Sequence, residues 1–421
     1  MVNFVFTTKH LTMSKSTIFT GQPLFNQLLT LIPSGLINEL SIIHKTDRYC
    51  KRFKGYDHLV TMLFACFNHC NSIREVITGM QANYHRLRHL GLQNTPRRST
   101  LSDANQRTDS IFFEKLFYRL QAHYFGVLPD SLKGKKDSER LFIIDSTTIN
   151  LFSDILKGAG TYNAQGKKKG GAKAHVVLSA KQDLPCFVWI TEARECDKSF
   201  LKEIDFLPKG AVVVMDKGYN VYNKYLEWTK AGVTWVTRLN KAAIFEAVEE
   251  NAVSEYQVKK GVRRDRIIML GNPSTIKKCP IQKVRLIEFY DKDKNRLFHF
   301  ICNDLECSSL KVANLYKKRW QIESFFKRFK SNFPLNYFLG DSENAIRIQI
   351  WCSLIADLLI TVVKEKLKKI SNRVWAFSNL ASLVRQHLST YIDLFGFLSN
   401  PDKALISYKP PDFTEQLKLF N

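Results

Sequence analysis

Apolar residues recur at helical spacing through the first third of the chain. They return every three or four positions, beginning with Phe25, Leu28, Leu29, Ile32 and Leu36. Further periodic runs follow over residues 58–67 and 73–80, and an amphipathic stretch covers residues 111–124. Such spacing puts the apolar side chains on one face of each helix. The pattern predicts a helical region over residues 22–125.

A turn-rich segment, GLQNTPRRSTLSDANQR (residues 91–107), interrupts this helical pattern. Thr100 and Asp103 stand at capping-box spacing, which predicts the start of a short helix. A helix, a turn, a short helix and the arginines Arg97 and Arg98 together predict a helix-turn-helix unit that docks on DNA. An ordinary turn within a helical domain is the alternative interpretation.

The pattern changes after a polar, charged segment at residues 131–140. Short runs that are β-branched or continuously apolar predict strands at residues 140–151, 172–181, 184–193, 211–216 and 232–239. Helices are predicted between them at residues 197–206 and 222–231. Strands and helices in this order are typical of an α/β layer with a mixed sheet.

Residues 241–305 interrupt the α/β scheme. Polar turns separate strand-like runs at residues 255–260, 263–270, 283–290 and 296–302. We interpret the segment as a β-rich insertion. The chain is helical again from Ala345, and the apolar run at residues 346–363 contains Arg347 and Asp357, which favours a buried core helix over a membrane span.

The net charge indicates which kinds of partner the protein is expected to bind. Lys and Arg outnumber Asp and Glu by 63 to 39, a net charge of +24 spread along the chain. A globular protein with this excess most often binds a polyanion, and nucleic acid is the first candidate. A basic housekeeping protein and a membrane-surface protein are the alternatives. The nine cysteines have no disulfide or zinc spacing, which indicates reduced thiols in the cytoplasm.

Candidate chemistry is concentrated in residues 311–330, which predict one continuous helix with seven cations and a single acid. Four side chains stand at offsets of 0, 3, 7 and 14: Tyr316, Arg319, Glu323 and Lys330. At roughly 100° per residue they fall within an arc of about 60°. One carboxylate beside cations suits a metal-dependent enzyme that acts on phosphates. A solvated charged face is the alternative.

Two further acids follow buried strands. Asp145 is predicted at the end of a hydrophobic strand, and Asp216 at the end of another. An unpaired carboxylate is costly to bury, so these acids are expected near solvent, paired or bound to metal. Converging carboxylates repel one another, and divalent cations relieve that repulsion. The three carboxylates Asp145, Asp216 and Glu323 are therefore candidate metal ligands.

At this point the chain resembles the D-D-E transposases of bacterial insertion sequences, in the IS-four-type group with an RNase H-like fold. The spacing Y-(2)-R-(3)-E-(6)-K of that group matches Tyr316, Arg319, Glu323 and Lys330. The second aspartate lies in a D-x-G-Y setting at residues 216–219, and RW-x-IE occurs at residues 319–323. The resemblance covers roughly residues 20–360.

The resemblance implies a fold and a division of the chain. It implies an RNase H-like mixed-sheet catalytic core (138–385) that contains the β-rich insertion (241–305). A helical DNA-binding region (1–130) would precede the core, and a C-terminal helical tail (386–421) would follow it. The start codon would be either Met1 or Met13.

The resemblance also implies a function. The protein would bind the terminal inverted repeats of its element and perform cut-and-paste transposition with Mg²⁺, or Mn²⁺, held by Asp145, Asp216 and Glu323. DNA contacts would come from Tyr316, Arg319, Lys330, Arg238, Arg97 and Arg98. The expected assembly is a homodimer on double-stranded DNA in the bacterial cytoplasm, associated with the nucleoid. No membrane partner and no nucleotide cofactor are expected.

One departure from the family concerns the DNA hairpin that such insertions imply. Hairpin formation is expected to stack a flipped base on an aromatic residue, often Trp, but residues 241–305 contain no Trp. Phe289, Tyr290 and Phe298 are the substitutes, since any aromatic face stacks a base. Two other functions remain open: a structure-specific metal-dependent nuclease, and an inactive DNA-binding relic or repressor.

Three weaker features complete the candidates. The Gly-rich basic segment at residues 167–175 lacks the P-loop pattern, and we expect it to contact DNA phosphates, with a solvated turn as the alternative. His175 is expected to be structural. Asp197 is expected to be the N-cap of the following helix.

Overall fold

The computed structural model describes residues 21–92, 94–128, 140–150, 171–275, 280–333 and 335–402 of the chain. The two candidate start methionines, the lysines at 167–169 and the tail beyond residue 402 lie outside these ranges. Predictions about them stay predictions.

Helices fill the N-terminal region, as the apolar spacing predicts. They are α1 (Leu24–Leu29), α2 (Ser34–Ile43), α3 (Gly55–Asn68), α4 (Ile73–Ala82), α5 (Tyr84–Leu87), α6 (Arg98–Arg107) and α7 (Ile111–His123). The predicted capping box at Thr100 is wrong, because α6 begins at Arg98 and its N-cap is Arg97 without a side-chain cap. Arg97 and Arg98 are both exposed at this helix start.

The strands of the described residues form one nine-stranded sheet. They are β1 (Arg140–Asn150), β2 (Gly171–Ser179), β3 (Leu184–Glu192), β4 (Ala211–Met215), β5 (Thr234–Arg238), β6 (Phe245–Glu250), β7 (Val262–Leu270), β8 (Gln282–Asp291) and β9 (Arg296–Cys302). Their spatial order is β3-β2-β1-β4-β5-β9-β8-β7-β6. β1 to β3 are antiparallel neighbours, while β4 lies parallel to β1 and β5 parallel to β4. This 3-2-1-4-5 arrangement confirms the RNase H-like mixed-sheet core.

The β-rich insertion extends the core sheet. β9 pairs antiparallel with β5, so β9, β8, β7 and β6 continue the same hydrogen-bonded layer. The strand predicted over residues 255–260 is wrong, because these residues contain helix α10 (Glu255–Lys259), which begins with a capping box between Ser254 and Gln257. Strand β6, at the sheet edge, has no counterpart among the predicted strands.

The remaining helices are α8 (Asp197–Phe200), α9 (Tyr222–Lys230), α11 (Ser309–Lys317), α12 (Trp320–Asn332), α13 (Glu343–Ile370), α14 (Phe377–Gln386) and α15 (Leu394–Ser399). The single helix predicted over residues 311–330 is therefore two helices. α11 ends at Lys317 and α12 begins at Trp320, which leaves Lys318 and Arg319 in the joint. The joint directs Arg319 toward the sheet, as described below.

The largest apolar core joins both ends of the chain. It contains side chains from the N-terminal helices, from α12 to α15 and from one face of β1 to β3. Helix α13 is apolar enough to span a membrane by length and composition, but 94% of its most apolar window is buried within this core. The division into an N-terminal region, a catalytic domain and a C-terminal tail stays a prediction.

Candidate active site

Asp145 and Asp216 lie side by side where the parallel pairing of β1 and β4 stops. The last pair in that register is Ile144 with Met215, and each aspartate is the next residue of its segment. Asp216 directly follows β4, as expected. The expectation that Asp145 ends its strand is wrong, because β1 continues to Asn150 in antiparallel pairing with β2. The strand that ends beside Asp145 is β4, whose last residue is Met215.

Asp216 is held by two residues from other elements. Arg238, the last residue of β5, donates a short hydrogen bond to its Oδ1, and the Tyr316 hydroxyl donates to the same oxygen at 3.3 Å. Gly218 N–H donates to Oδ2 at 3.4 Å. Burial raises the pKa of Asp216, but the bond and charge of Arg238, together with the charge of Arg319, outweigh it and lower the pKa overall. Asp216 is therefore a stable carboxylate.

Arg319 bridges the other two candidate acids. One guanidinium nitrogen donates to Asp145 Oδ2 at 2.9 Å, and the second donates to Glu323 Oε1 at 2.5 Å. Its side chain is only 11% exposed. Burial lowers the pKa of Arg319, but nearby Tyr316, Asp145 and Glu323 more than offset this effect and raise it. The arginine is thus a fixed positive charge between two acids.

Asp145 is the most perturbed of the three acids. Its pKa rises to about 6, chiefly because of burial, and the charges of Asp216 and Glu323 add to the increase. The Ser146 N–H and Arg319 oppose it without cancelling it. The charges of Asp216 and Glu323 thus both act on Asp145. We call Asp145, Asp216 and Glu323 the carboxylate site.

The donor set of the carboxylate site fits a divalent cation. Carboxylate oxygens are the ligands that Mg²⁺ prefers, and Asp216 and Glu323 lie near enough to Asp145 for their charges to add to the increase in its pKa. As placed, the described residues include no group of three His, Cys, Asp or Glu side chains close enough to share a metal ion. Arg319 stands between Asp145 and Glu323 and supplies the positive charge there.

The predicted DNA-contact residues lie in three places: against β1, at the carboxylate site and at the start of α6. Lys330 reaches back to β1, where its Nζ donates to the Thr148 carbonyl at 2.7 Å, and burial lowers its pKa. Tyr316, Arg319 and Arg238 contact the carboxylate site directly. Arg97 is the N-cap of α6 and Arg98 is its first residue, and α6 packs against α4 and α13.

The structure places near the site two residues, Trp320 and Asp197, to which the sequence analysis gives no role there. Trp320 follows Arg319, is 48% exposed, and has Lys294 Nζ 4.0 Å from its ring centre. The sequence signal that could have drawn attention to Trp320 is its position in the RW-x-IE run. The expectation that Asp197 is a helix N-cap is wrong, because the N-cap of α8 is Cys196. The Asp197 side chain instead contacts β1 and β2, and no local pattern could have revealed that.

A family model described as a transposase DDE domain matches residues 136–359, more than half of the chain. The chain belongs to the DDE transposases of bacterial insertion sequences. A second model, a domain of unknown function, matches residues 20–93. The transposase therefore carries a DNA-cleaving domain of a family that uses divalent metal ions.

Relatives agree with this family. A transposase of Sinorhizobium fredii, y4zB, is 30% identical over 68% of this chain and 76% of its own length. The transposase of element IS4SA from Synechocystis sp. is 24% identical over 68% of this chain and 77% of its own. A piggyBac transposase synaptic complex with hairpin DNA has a TM-score of 0.46 and 8% identity, covering 92% of this chain and 86% of that one. A score at this level carries no property of that complex to the present chain.

Proposed function

We propose that this transposase binds the terminal inverted repeats of its insertion sequence and moves the element by metal-dependent cut-and-paste transposition. The convergence of Asp145, Asp216 and Glu323 is the observation that supports it. They come from three separate segments, namely β1, the turn after β4 and α12. Asp145 and Glu323 share Arg319, while Asp216 pairs with Arg238. Among these five groups the acids outnumber the cations, which suits the binding of a divalent metal ion better than structural pairing.

Asp145, Asp216 and Glu323 would hold Mg²⁺ or Mn²⁺. The chemistry that bound metal would supply there is activation of the attacking oxygen and stabilisation of the leaving oxygen of a phosphodiester. The chain itself supplies the groups that bind and orient the DNA. Asp216 is already ionised, since Arg238 keeps its pKa low. Asp145 loses its proton above about pH 6 and completes the set of acceptors.

Arg319, Arg238 and Tyr316 would orient the DNA. Each now donates to a carboxylate oxygen, and a phosphate oxygen offers the same charge-assisted acceptor. Arg319 gives one nitrogen to each of two carboxylates, and the same guanidinium could direct both nitrogens to a single phosphate. Lys330 would add a point charge from α12. The sequence of events would be nicking, a hairpin, hairpin opening and strand transfer.

Trp320 is an exposed aromatic face for the base that the hairpin step unstacks. It directly follows Arg319 in the chain and is 48% exposed, whereas Phe298 of the insertion stacks on Phe300 with ring centres 5.7 Å apart. Stacking on an aromatic residue contributes about 1–3 kcal/mol per base. We further propose a homodimer on the paired element ends, acting in the cytoplasm on nucleoid DNA.

Plasmid cleavage tests the proposal. The Asp145→Asn, Asp216→Asn and Glu323→Gln variants are incubated with Mg²⁺ and a supercoiled plasmid carrying the inverted repeats. We expect each to lose nicking while its affinity for the repeats remains. Glu246→Gln, an exposed acid on β6, is the matched control and should cleave normally. Retained nicking in any of the three site variants would refute the assignment.

The same plasmids separate the alternative functions. A structure-specific nuclease would produce breaks without joined products, and an inactive relic or repressor would bind the repeats without nicking in Mg²⁺ or Mn²⁺. Recovery of joined element and target DNA excludes both alternatives.

A further inference from the structure

The Asp197 carboxylate lies against the strand that carries Asp145. Its Oδ1 accepts a hydrogen bond from Ser146 Oγ at 2.9 Å, and Ser146 directly follows Asp145. The Ser146 N–H in turn donates to Asp145 Oδ1 at 2.9 Å. Asp197 therefore restrains the residue whose backbone orients the first acid of the carboxylate site.

The other Asp197 oxygen faces the turn that carries Asp216. Gly218 donates its N–H to Asp216 Oδ2, and a side-chain carbon added to Gly218 would lie 3.5 Å from Asp197 Oδ2. That distance is ordinary van der Waals contact. One carboxylate thus borders both segments on which Asp145 and Asp216 depend.

Two residues of β2 hold Asp197 in place. Lys173 Nζ lies 3.3 Å from Oδ1 and also donates to the Glu195 carbonyl at 2.7 Å. His175 is fully buried, with its Nδ1 3.7 Å from Oδ1 and its ring stacked on Phe200 of α8. Lys173 and His175 are two positions apart on β2, so both side chains point to the same face of the sheet.

A purely local role does not account for these contacts. Helix α8 spans only Asp197–Phe200, and its N-cap, Cys196, makes no side-chain cap bond. The Asp197 side chain bonds to β1 and β2, across the sheet from its own turn. The pairing of β1 with β2 supports the same conclusion, because Ser146 lies directly opposite His175.

We propose that Asp197 is a positioning residue for DNA cleavage, which fixes Ser146 and thereby Asp145 against the turn that carries Asp216. The inference rests on the proposed roles of Asp145 and Asp216. Asp197 itself touches neither DNA nor a reacting atom in this scheme. Outer residues that orient metal ligands typically contribute 10–100-fold to metal affinity or activity.

The test compares Asp197→Ala, Asp197→Asn and Ser146→Ala in the full chain. Mn²⁺ affinity is measured without DNA by electron paramagnetic resonance, and the nicking rate is measured at saturating repeat DNA. We expect Asp197→Ala to lower both by about 10–100-fold and to leave the DNA dissociation constant unchanged. Asn keeps an acceptor for Ser146 and should recover most of the loss.

A double-substitution cycle shows whether Asp197 and Ser146 act together. If they do, the combined Ser146→Ala and Asp197→Ala variant loses no more than the worse single variant. Asp205→Ala is the matched control, because Asp205 also pairs with a lysine (Lys224, 2.6 Å) but is 81% exposed and remote from the site. The control should match the wild type in both measurements.

Three results would overturn the proposal. They are unchanged Mn²⁺ affinity in Asp197→Ala, additive losses in the double variant, and a failure of Asn to recover. If Asp197→Ala does not fold, Ser146→Ala removes one hydroxyl and decides the question by the same Mn²⁺ titration. Nicking by Asp145→Asn would refute the proposed function, whereas inactive Asp145→Asn with normal Asp197→Ala refutes only the positioning role.

Discussion

Replacing Arg319 by Gln tests the electrostatic account of the carboxylate site. The substitution removes the positive charge between Asp145 and Glu323 and keeps a shorter, uncharged side chain that can still donate hydrogen bonds. The guanidinium makes hydrogen bonds of 2.9 and 2.5 Å to these acids and is 11% exposed. The two carboxylates would then face each other with no cation between them in the metal-free protein.

The expected loss follows from the burial of the three groups. Removing one partner of a buried ion pair costs about 3–5 kcal/mol, and hydrogen bonds to charged groups contribute about 1.5–3 kcal/mol each. Glu323 is partly exposed, so solvent screens part of its interaction. We therefore expect the free energy of unfolding to fall by about 2–3 kcal/mol at pH 7.5 in EDTA.

The loss should depend on pH in a defined direction. The folded-state pKa of Asp145, about 6, lies above its ordinary value of 3.8, so ionising Asp145 weakens the folded state as pH rises from 4 to above 6. Arg319 lowers this pKa, so its removal raises the pKa further. The variant loses about 1.4 kcal/mol more at pH 7.5 than at pH 5 for each unit of that increase.

Urea denaturation at pH 5 and pH 7.5 measures both quantities. Arg264→Gln removes an exposed pair with Glu250 (3.0 Å) and should leave the urea midpoint close to that of the wild type at either pH. Mn²⁺ should stabilise the Arg319→Gln variant more than the wild type, because a cation then relieves the unbalanced acids. An equal loss at both pH values would refute the reasoning.

Three further predictions concern other parts of the chain. Arg328→Met leaves the buried carboxylate of Asp357 without its cation, so we expect the free energy of unfolding to fall by about 3–5 kcal/mol. Adding Asp357→Asn to this variant should recover much of the loss, and an unchanged urea midpoint in Arg328→Met would contradict the prediction. Replacing Arg97 and Arg98 by Gln should flatten the slope of log affinity against log salt by about 0.9 for each phosphate that is no longer neutralised, measured by fluorescence anisotropy, and an unaltered slope would exclude phosphate binding by these arginines. Trp320→Ala should reduce hairpin products on denaturing gels while nicking persists, and wild-type hairpin yield would argue against base stacking.

Local sequence signals locate the carboxylate site because its residues stand at interruptions of strong patterns. Asp216 follows the continuous apolar run of β4, and Glu323 is the only acid in a cationic segment. The joint at Lys318 and Arg319 could not be predicted in the same way. Both residues are good helix formers, and neither glycine nor proline marks the break. The interruption lies where α11 and α12 both pack against strands of the sheet.

The differences in the insertion have similar causes. Residues 255–260 alternate like a strand, but Ser254 and Gln257 cap them as a helix. Strand β6 is an edge strand whose side chains are mostly exposed and charged, so it shows little apolar alternation. The role of Asp197 escapes sequence reasoning because its partners are on β1 and β2, at positions that only the fold brings near.

The central place of α13 has a consequence for how the protein is made. Helix α13 packs against α3, α6 and α7 from the N-terminal region and against α14 and α15 beyond it. A ribosome releases the N-terminal helices first, and the faces of α3, α6 and α7 that α13 covers stay without that partner until residues 343–370 emerge. We therefore expect a polypeptide truncated before residue 343 to be more prone to aggregation and proteolysis than the full chain.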